Sequence, residues 1–539
     1  MHGRARLPGR SRGDYHGPMS TLLVPCLFVA LVAASPPDEA AETLALFRKV
    51  YARAEQPRER FEAVLELKGM DSVAAAEALL PALEDDDFGV RRAAVEVLSG
   101  YRREEVARWL CDGVLRERKL AKRTVLRAGA VEALGGMGQP WAYDACAELL
   151  GDKDVSLRLA AIAALGQLRN PAACASLSAL AGDADGTLAV AALDALARIG
   201  STEGAQGAVI AALEHADWRV RARAIEAAVG LRLKDAIRPL MLRLEAEDGR
   251  LRGDAYAALK TLTLRDFGEQ SAPWLAWWER TEAGFVLPDL DKVKAALEEE
   301  RVKGSRYKTG GKQFLTVQTK SENILFVIDV SGSMDIPFGD PERLKMTGRS
   351  YASLQRLSIV KEELIATIND LPETTAFNIV AFATGVKPWK KDPVRATILN
   401  KAGATEWVAK LQPLGVKRGG TSFEVSTGMA IEVQSEGATN TYLALMTALG
   451  EPVGDDRPRT GGGFVTEPPR SPLDTVFFLT DGEPTVGRTV DMNEIRREVQ
   501  RVNAYRGVQI HVIYVGEIGG EDFQKLAREN RGVFVKIGG

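Results

Sequence analysis

Histidine is scarce in this chain, with four in 539 residues: His2, His16, His215 and His511. No His-x-x-x-His pair and no Cys-x-x-Cys pair occurs, which removes the usual zinc frameworks. Cysteine is as sparse. Cys111, Cys146 and Cys174 are unevenly spaced within helical patterns, so they read as core residues rather than a disulfide scaffold. There is no run of five or more basic residues, and the formal net charge is -3. Nothing in that balance draws the chain towards nucleic acid or an anionic membrane. Phosphate-cradling glycine motifs are missing: no Gly-x-Gly-x-x-Gly follows the first β-rich run and there is no Gly-Lys-Thr loop. No serine has a persuasive triad. The longest apolar run, "TLLVPCLFVALVAAS" (21–35), falls short of the roughly 20 residues that a membrane span needs.

That run has the layout of an export signal. Arg4, Arg6, Arg10 and Arg12 precede it, and Ala33, Ala34 and Ser35 close it. Cleavage near Ala34 and an extracytoplasmic location (periplasm, cell envelope or secreted) are expected. Membrane contact then arises only if the segment is retained. A start at Met19 would leave the signal without its charged leader. Cys26 does not read as a lipidation site, because "LVPC" has proline where a small residue is expected and the apolar run continues beyond it.

The length allows two to four domains. Between 70 and 260 the sequence repeats itself. "VRRAAVEVL" (90–98), "LRAGAVEAL" (126–134), "LRLAAIAAL" (157–165), "LAVAALDAL" (188–196), "VRARAIEAA" (220–228) and "LRGDAYAAL" (251–259) end 36, 31, 31, 32 and 31 residues apart. Polar turns such as "EDDD" (84–87), "GDKD" (151–154) and "GDAD" (182–185) precede them. A period near 31 with two helices per unit predicts a stacked solenoid, because one helix pair cannot bury its apolar face alone. The segment resembles the HEAT-repeat family in its short form. Its aliphatic-arginine pair recurs at Val90-Arg91, Leu126-Arg127, Leu157-Arg158, Val220-Arg221 and Leu251-Arg252, and fails at Leu188-Ala189. The resemblance implies that these arginines cap or bridge repeats, with a looser joint at Ala189, and that the solenoid offers a protein-binding surface.

Domain organisation follows: a signal region at 1–35, a helical lead-in at 36–69, repeats at 70–265, and a tryptophan-rich cap at 266–292. A polar, glycine-ended linker is expected at 293–312 and a second domain at 313–539. Trp274, Trp277 and Trp278 share one helical face and are expected to close the end of the stack.

The second domain reads differently. "NILFVIDV" (323–330), "FNIVAFAT" (377–384), "TVFFLTD" (475–481), "VQIHVIYVG" (508–516) and "VFVKI" (533–537) are β-rich runs, with helical patterns at 353–371, 493–505 and 521–530. Several runs are nearly continuous, as strands covered on both faces are. The alternation predicts a doubly wound, mostly parallel sheet, with "FLTVQT" (314–319) expected to add an edge strand. The fold class is therefore a multidomain α plus α/β chain. His511 lies within a strand and reads as packing.

Ligands in such sheets gather beyond the carboxyl ends of the strands. Asp329 ends the first run in "FVIDVSGSMD" and is followed by Ser331 and Ser333. Asp481 ends another in "FFLTDGEPT", and "GATNTYLALMTAL" (437–449) supplies Thr439 and Thr441. Short oxygen side chains on three loops suit a hard cation such as Mg2+, with Mn2+ or Ca2+ as alternatives.

These motifs resemble the von Willebrand factor A domain and its metal-ion-dependent adhesion site. Asp329, Ser331 and Ser333 match the Asp-x-Ser-x-Ser signature, Thr439 the threonine of the second loop and Asp481 the aspartate of the third. Thr421 in "RGGTSFEVSTG" (418–428) is the competing threonine. Thr439 is favoured because an apolar helical stripe (Tyr442, Leu443, Leu445, Met446, Leu449) follows it. Extra residues at 335–352 and 452–473 flank the metal face. The resemblance implies serine and threonine ligands, aspartates acting through water or holding the hydroxyls, and an open position for a partner's Asp or Glu. It points to a non-enzymatic adhesion scaffold. Two alternatives stand beside it. The Ro ribonucleoprotein combines the same two parts and binds RNA, which the export signal and acidic balance oppose here. A metal-dependent hydrolase would need a nucleophile or base that cannot be named.

Overall fold

The computed structural model describes residues 37–200, 203–304, 312–314, 317–338, 351–414, 437–450, 473–516 and 519–537. The export-like run 21–35, Thr421 and most of both flanking insertions lie outside the described residues.

Helices Phe88–Ser99, Thr124–Met137, Val155–Leu168, Gly186–Ile199, Trp218–Gly230 and Gly249–Thr263 are the inner helices of six stacked units. The recurring acidic turns are their caps. Asp87, Asp154, Asp185 and Asp217 each accept a hydrogen bond from an amide of the following first turn, meeting donors that the helix itself leaves unpaired. Small residues set the spacing. A side chain at Gly166 would come within 2.8 Å of the Ala195 Cα, so this joint admits only glycine. Cys111, Cys146 and Cys174 are free thiols buried in the solenoid.

The paired arginines hold the turns and bridge the repeats. Arg158 donates to the Leu150 carbonyl (3.0 Å) and reaches Asp183 of the next turn (3.4 Å). Arg221 grips both carboxylate oxygens of Glu247 at 2.5 and 3.0 Å, and Arg127 lies 3.6 Å from Asp152. The joint at Ala189 is not simply loose. There the next turn carries His215, whose Nδ1 accepts the Asp217 amide and whose Nε2 lies 3.1 Å from the Asp183 carbonyl. A ring spans from the far side the gap that an arginine spans elsewhere.

Trp274 and Trp278 are buried in the solenoid core, with Trp277, Phe267 and Phe285 packed against them. Trp274 donates its Nε1–H to the Gly268 carbonyl (2.7 Å). The polar stretch read as a linker is helical over Leu290–Gly304; its "KAALEEE" consists of strong helix formers.

The second domain contains β1 (Lys312–Phe314), β2 (Val317–Thr319), β3 (Asn323–Asp329), β4 (Ala376–Phe382), β5 (Val386–Pro388), β6 (Val394–Arg395), β7 (Thr475–Thr480), β8 (Gln509–Val515) and β9 (Phe534–Ile537). Among the described residues the main sheet has the order β5-β4-β3-β7-β8-β9, with β6 also on β4. Pairs β3–β4, β3–β7, β7–β8 and β8–β9 are parallel. β3 through β9 is thus the expected doubly wound sheet. The edge-strand expectation for 314–319 needs correction, because β2 pairs antiparallel with β1 in a sheet of their own and not with the main sheet. Apolar cores fill both faces of the main sheet, which explains the near-continuous hydrophobic runs.

The sheet's amino-terminal edge sits on the solenoid. Arg250 donates to the carbonyls of Asp474 (2.8 Å) and Gly507 (2.7 Å), just ahead of β7 and β8. Arg223 donates to the Ala504 carbonyl (3.1 Å) and Arg219 to that of Tyr505 (3.3 Å). Arg531 pairs with Glu226, and Tyr505 packs against the solenoid core. The opposite, carboxyl-terminal edge carries the candidate site.

Candidate metal centre

β3 is the strand at which the chain reverses direction across the sheet, with β4 on one side and β7 on the other. A crevice opens beyond the carboxyl end of such a strand. Asp329 is the last residue of β3, and Asp481 follows β7 directly.

Three loops meet there. The first and second are joined by the Gly332 amide donating to the Gly437 carbonyl (3.0 Å). The first and third are joined by Ser333 Oγ donating to Asp481 Oδ1 (2.7 Å). Between the second and third, the Thr439 amide donates to Thr485 Oγ1 (2.8 Å), and the Thr439 carbonyl accepts the Thr485 amide (2.9 Å). Ser331 Oγ and Ser333 Oγ are 3.1 Å apart. Asp329 Oδ1 accepts the Ser331 amide and its Oδ2 accepts the Thr480 hydroxyl, both at 2.8 Å. The structure thus places Asp329, Ser331, Ser333, Thr439 and Asp481 on three mutually bonded loops at one sheet edge. Asp329, Ser331, Thr439 and Asp481 are buried.

Sequence reasoning missed two participants. Thr480 fixes the second oxygen of Asp329. Arg356, the first residue of the helix Arg356–Asp370, donates to Asp481 Oδ2 at 2.8 Å. A strand-end threonine and a helix-start arginine have no signature that marks them beforehand.

The electrostatics describe a site with surplus negative charge. Burial, and then the neighbouring Asp481 carboxylate, push Asp329 up to about 7. Two buried carboxylates with one guanidinium and several hydroxyls form a hard-oxygen donor set. Thr441, at the start of the helix that follows Thr439, has a buried hydroxyl without a hydrogen-bond partner among the described residues. Among those residues no group of three or more His, Cys, Asp or Glu side chains gathers around a common point. The donors here are mostly hydroxyls, and the set has the chemistry of a hard divalent cation site.

Comparison with known proteins agrees with this architecture. The HEAT repeats profile matches residues 44–124, 118–189 and 175–260. The von Willebrand factor type A domain profile matches 349–535, beginning after the Asp329 loop. Inter-alpha-trypsin inhibitor heavy chain H2 of Sus scrofa is 29% identical over 219 residues, covering 40% of this chain and 18% of that protein. Heavy chain H4 of Homo sapiens is 26% identical over 219 residues, with 41% and 18% covered. The chain therefore spans less than a fifth of the length of these relatives. A von Willebrand factor type A structure from Catenulispora acidiphila aligns with a TM-score of 0.26 at 19% identity, over 41% of this chain and 39% of that one. The chain joins a solenoid of HEAT repeats to a von Willebrand factor type A domain.

Proposed function

We propose that this protein is a non-catalytic interaction scaffold whose second domain binds a divalent cation, magnesium by preference, and through it an Asp or Glu of a protein partner. One observation carries the reading: three loops, bonded to one another, bring Asp329, Ser331, Ser333, Thr439 and Asp481 to the switch point of the sheet. The serine and threonine hydroxyls would ligate the ion. Asp329 and Asp481 would hold those hydroxyls or bound waters, and a hard cation with a free position seeks a carboxylate oxygen. Exposed surface of the repeats offers a second contact, and two contacts on one partner raise effective concentration. An extracytoplasmic setting follows from residues 21–35 and is tested by amino-terminal sequencing of the natural protein.

Isothermal titration of the full chain with magnesium tests the centre. Saturable binding that is lost in Asp329→Ala supports it; no binding by the unaltered protein, or equal binding by the variant, refutes it. Crosslinking mass spectrometry in cells, with and without a chelator, tests the partner. A protein captured only with metal, and lost in Asp481→Ala, is the expected result. Capture of RNA instead, or of partners indifferent to chelation, refutes metal-bridged adhesion.

A further inference from the structure

The threonine loop is held by a strap that ends on the solenoid. Thr439 is buried, and both its amide and its carbonyl bond to Thr485. Its neighbour Asn440 is anchored on one side by the Ala383 carbonyl (2.9 Å). On the other side Gly487, at φ 126°, lies so close that a Cβ there would sit 2.4 Å from Asn440 Oδ1. The strap Thr485–Arg488 therefore presses on Thr439 and Asn440 with no room to spare.

Arg488 fixes its far end. Its Nη1 donates to the Tyr442 hydroxyl (3.1 Å), and its guanidinium lies 5.7 Å from the Tyr442 ring centre. The same guanidinium lies 5.8 Å from the ring of Phe88 and 3.8 Å from Asp87 Oδ2. Phe88 opens a solenoid helix and Asp87 caps it. Arg501 covers Phe88 as well, at 5.1 Å. One arginine thus touches the helix behind Thr439, the strap in front of it, and the other domain.

We infer that Arg488 is a positioning residue for the metal centre: its bridge between Tyr442 and the solenoid residues Asp87 and Phe88 holds the strap against Thr439, so the solenoid sets the metal affinity of the second domain. This rests on the metal reading above. The Arg488 side chain is 39% exposed, so the bridge is modest, and its loss should weaken metal binding roughly three- to fivefold, as an exposed cation–π contact allows.

The test uses the full chain and Mn2+, whose bound fraction is read directly by electron paramagnetic resonance. Arg488→Ala and Phe88→Ala should each raise the dissociation constant by that factor, and Arg488→Lys should recover part of it. The double variant should be no worse than Arg488→Ala, because Phe88 acts on the strap only through Arg488. Melting without metal should move little. Phe88→Leu stands in if Phe88→Ala fails to fold. Unchanged manganese affinity in the variants overturns the inference while leaving the metal centre in place, as do fully additive effects in the double variant. An unaltered protein that takes up no manganese overturns the metal reading and this inference together.

Discussion

Replacing His511 with glutamine should remove one arm of the stability–pH profile. His511 sits in mid-strand on β8, 2% exposed, stacked on Phe477 with ring centres 5.0 Å apart. Its Nδ1 accepts the Val533 amide at 3.1 Å, so the neutral ring carries its proton on Nε2, which has no partner among the described residues. Protonation would set an Nδ1–H against the Val533 N–H, donor against donor. Burial, and then the nearby Arg250 guanidinium, hold the ring down to about 4 against an ordinary 6.5. The unfolded chain takes up this proton near 6.5 and the folded chain only near 4. Between those values the unfolded state binds more protons, so stability falls as pH falls. The contribution is fully present above 6.5 and is lost by about pH 4, a swing of about 3 kcal/mol at 1.36 kcal/mol per pH unit. Asp194, Asp254 and Asp474, raised by burial, act in the opposite sense over an overlapping range. The observable is therefore the difference between the unaltered protein and His511→Gln in urea unfolding at each pH. Glutamine can still accept the Val533 amide. A difference that stays constant between about pH 7 and pH 4 would refute the reasoning.

Arg250→Met should cost about 2–4 kcal/mol, since two carbonyls at 2.8 and 2.7 Å lose a charged donor; separation of urea unfolding into two transitions is the sign of undocking, and one unshifted transition contradicts the seat described. Asp329→Asn should abolish any rise in Tm with magnesium without lowering the metal-free Tm, because it removes one of two buried carboxylates; a metal-free Tm lowered by several degrees would show that the charge stabilises. Trp274→Ala should destabilise the solenoid by about 3–5 kcal/mol in urea unfolding, as loss of a buried aromatic does, and an unchanged transition would remove its role as a cap. Burial pushes the thiols of Cys111 and Cys146 up to about 11 and about 12, so a thiol reagent should label them only after unfolding.

Both halves of the fold were legible because each has a strong period. The alanine-rich inner helices repeat with their capping aspartates, and β3 reads as a buried parallel strand ending on Asp329. Other elements were hidden for physical reasons. The helix Ile398–Ala409 opens with Ile398 and Leu399, 86% and 84% exposed, which blurs its apolar face. "FLTVQT" alternates like a strand, yet its end Val317–Thr319 pairs with Lys312–Phe314 and not with the main sheet. The three loops of the candidate centre could be matched by motif, but Arg356 and Arg488 could not, since their partners lie in distant segments. The domain seat was the least visible feature, because carbonyl oxygens leave no trace in a sequence.

That last point has a consequence for how such a chain can change. On the sheet side, the seat is made chiefly of the main-chain oxygens of Asp474, Ala504, Tyr505 and Gly507. Arg219, Arg223 and Arg250 read the path of the backbone, not the identity of the residues along it. Tyr505 excepted, whose ring packs on the solenoid core, substitutions at those turns that keep the trace can accumulate without loosening the grip. A foreign domain with the same turns could occupy the place, while loss of a single arginine would be felt at once. The two partners of this joint are therefore unequally free to drift, with the tolerance lying on the side that also carries the candidate site.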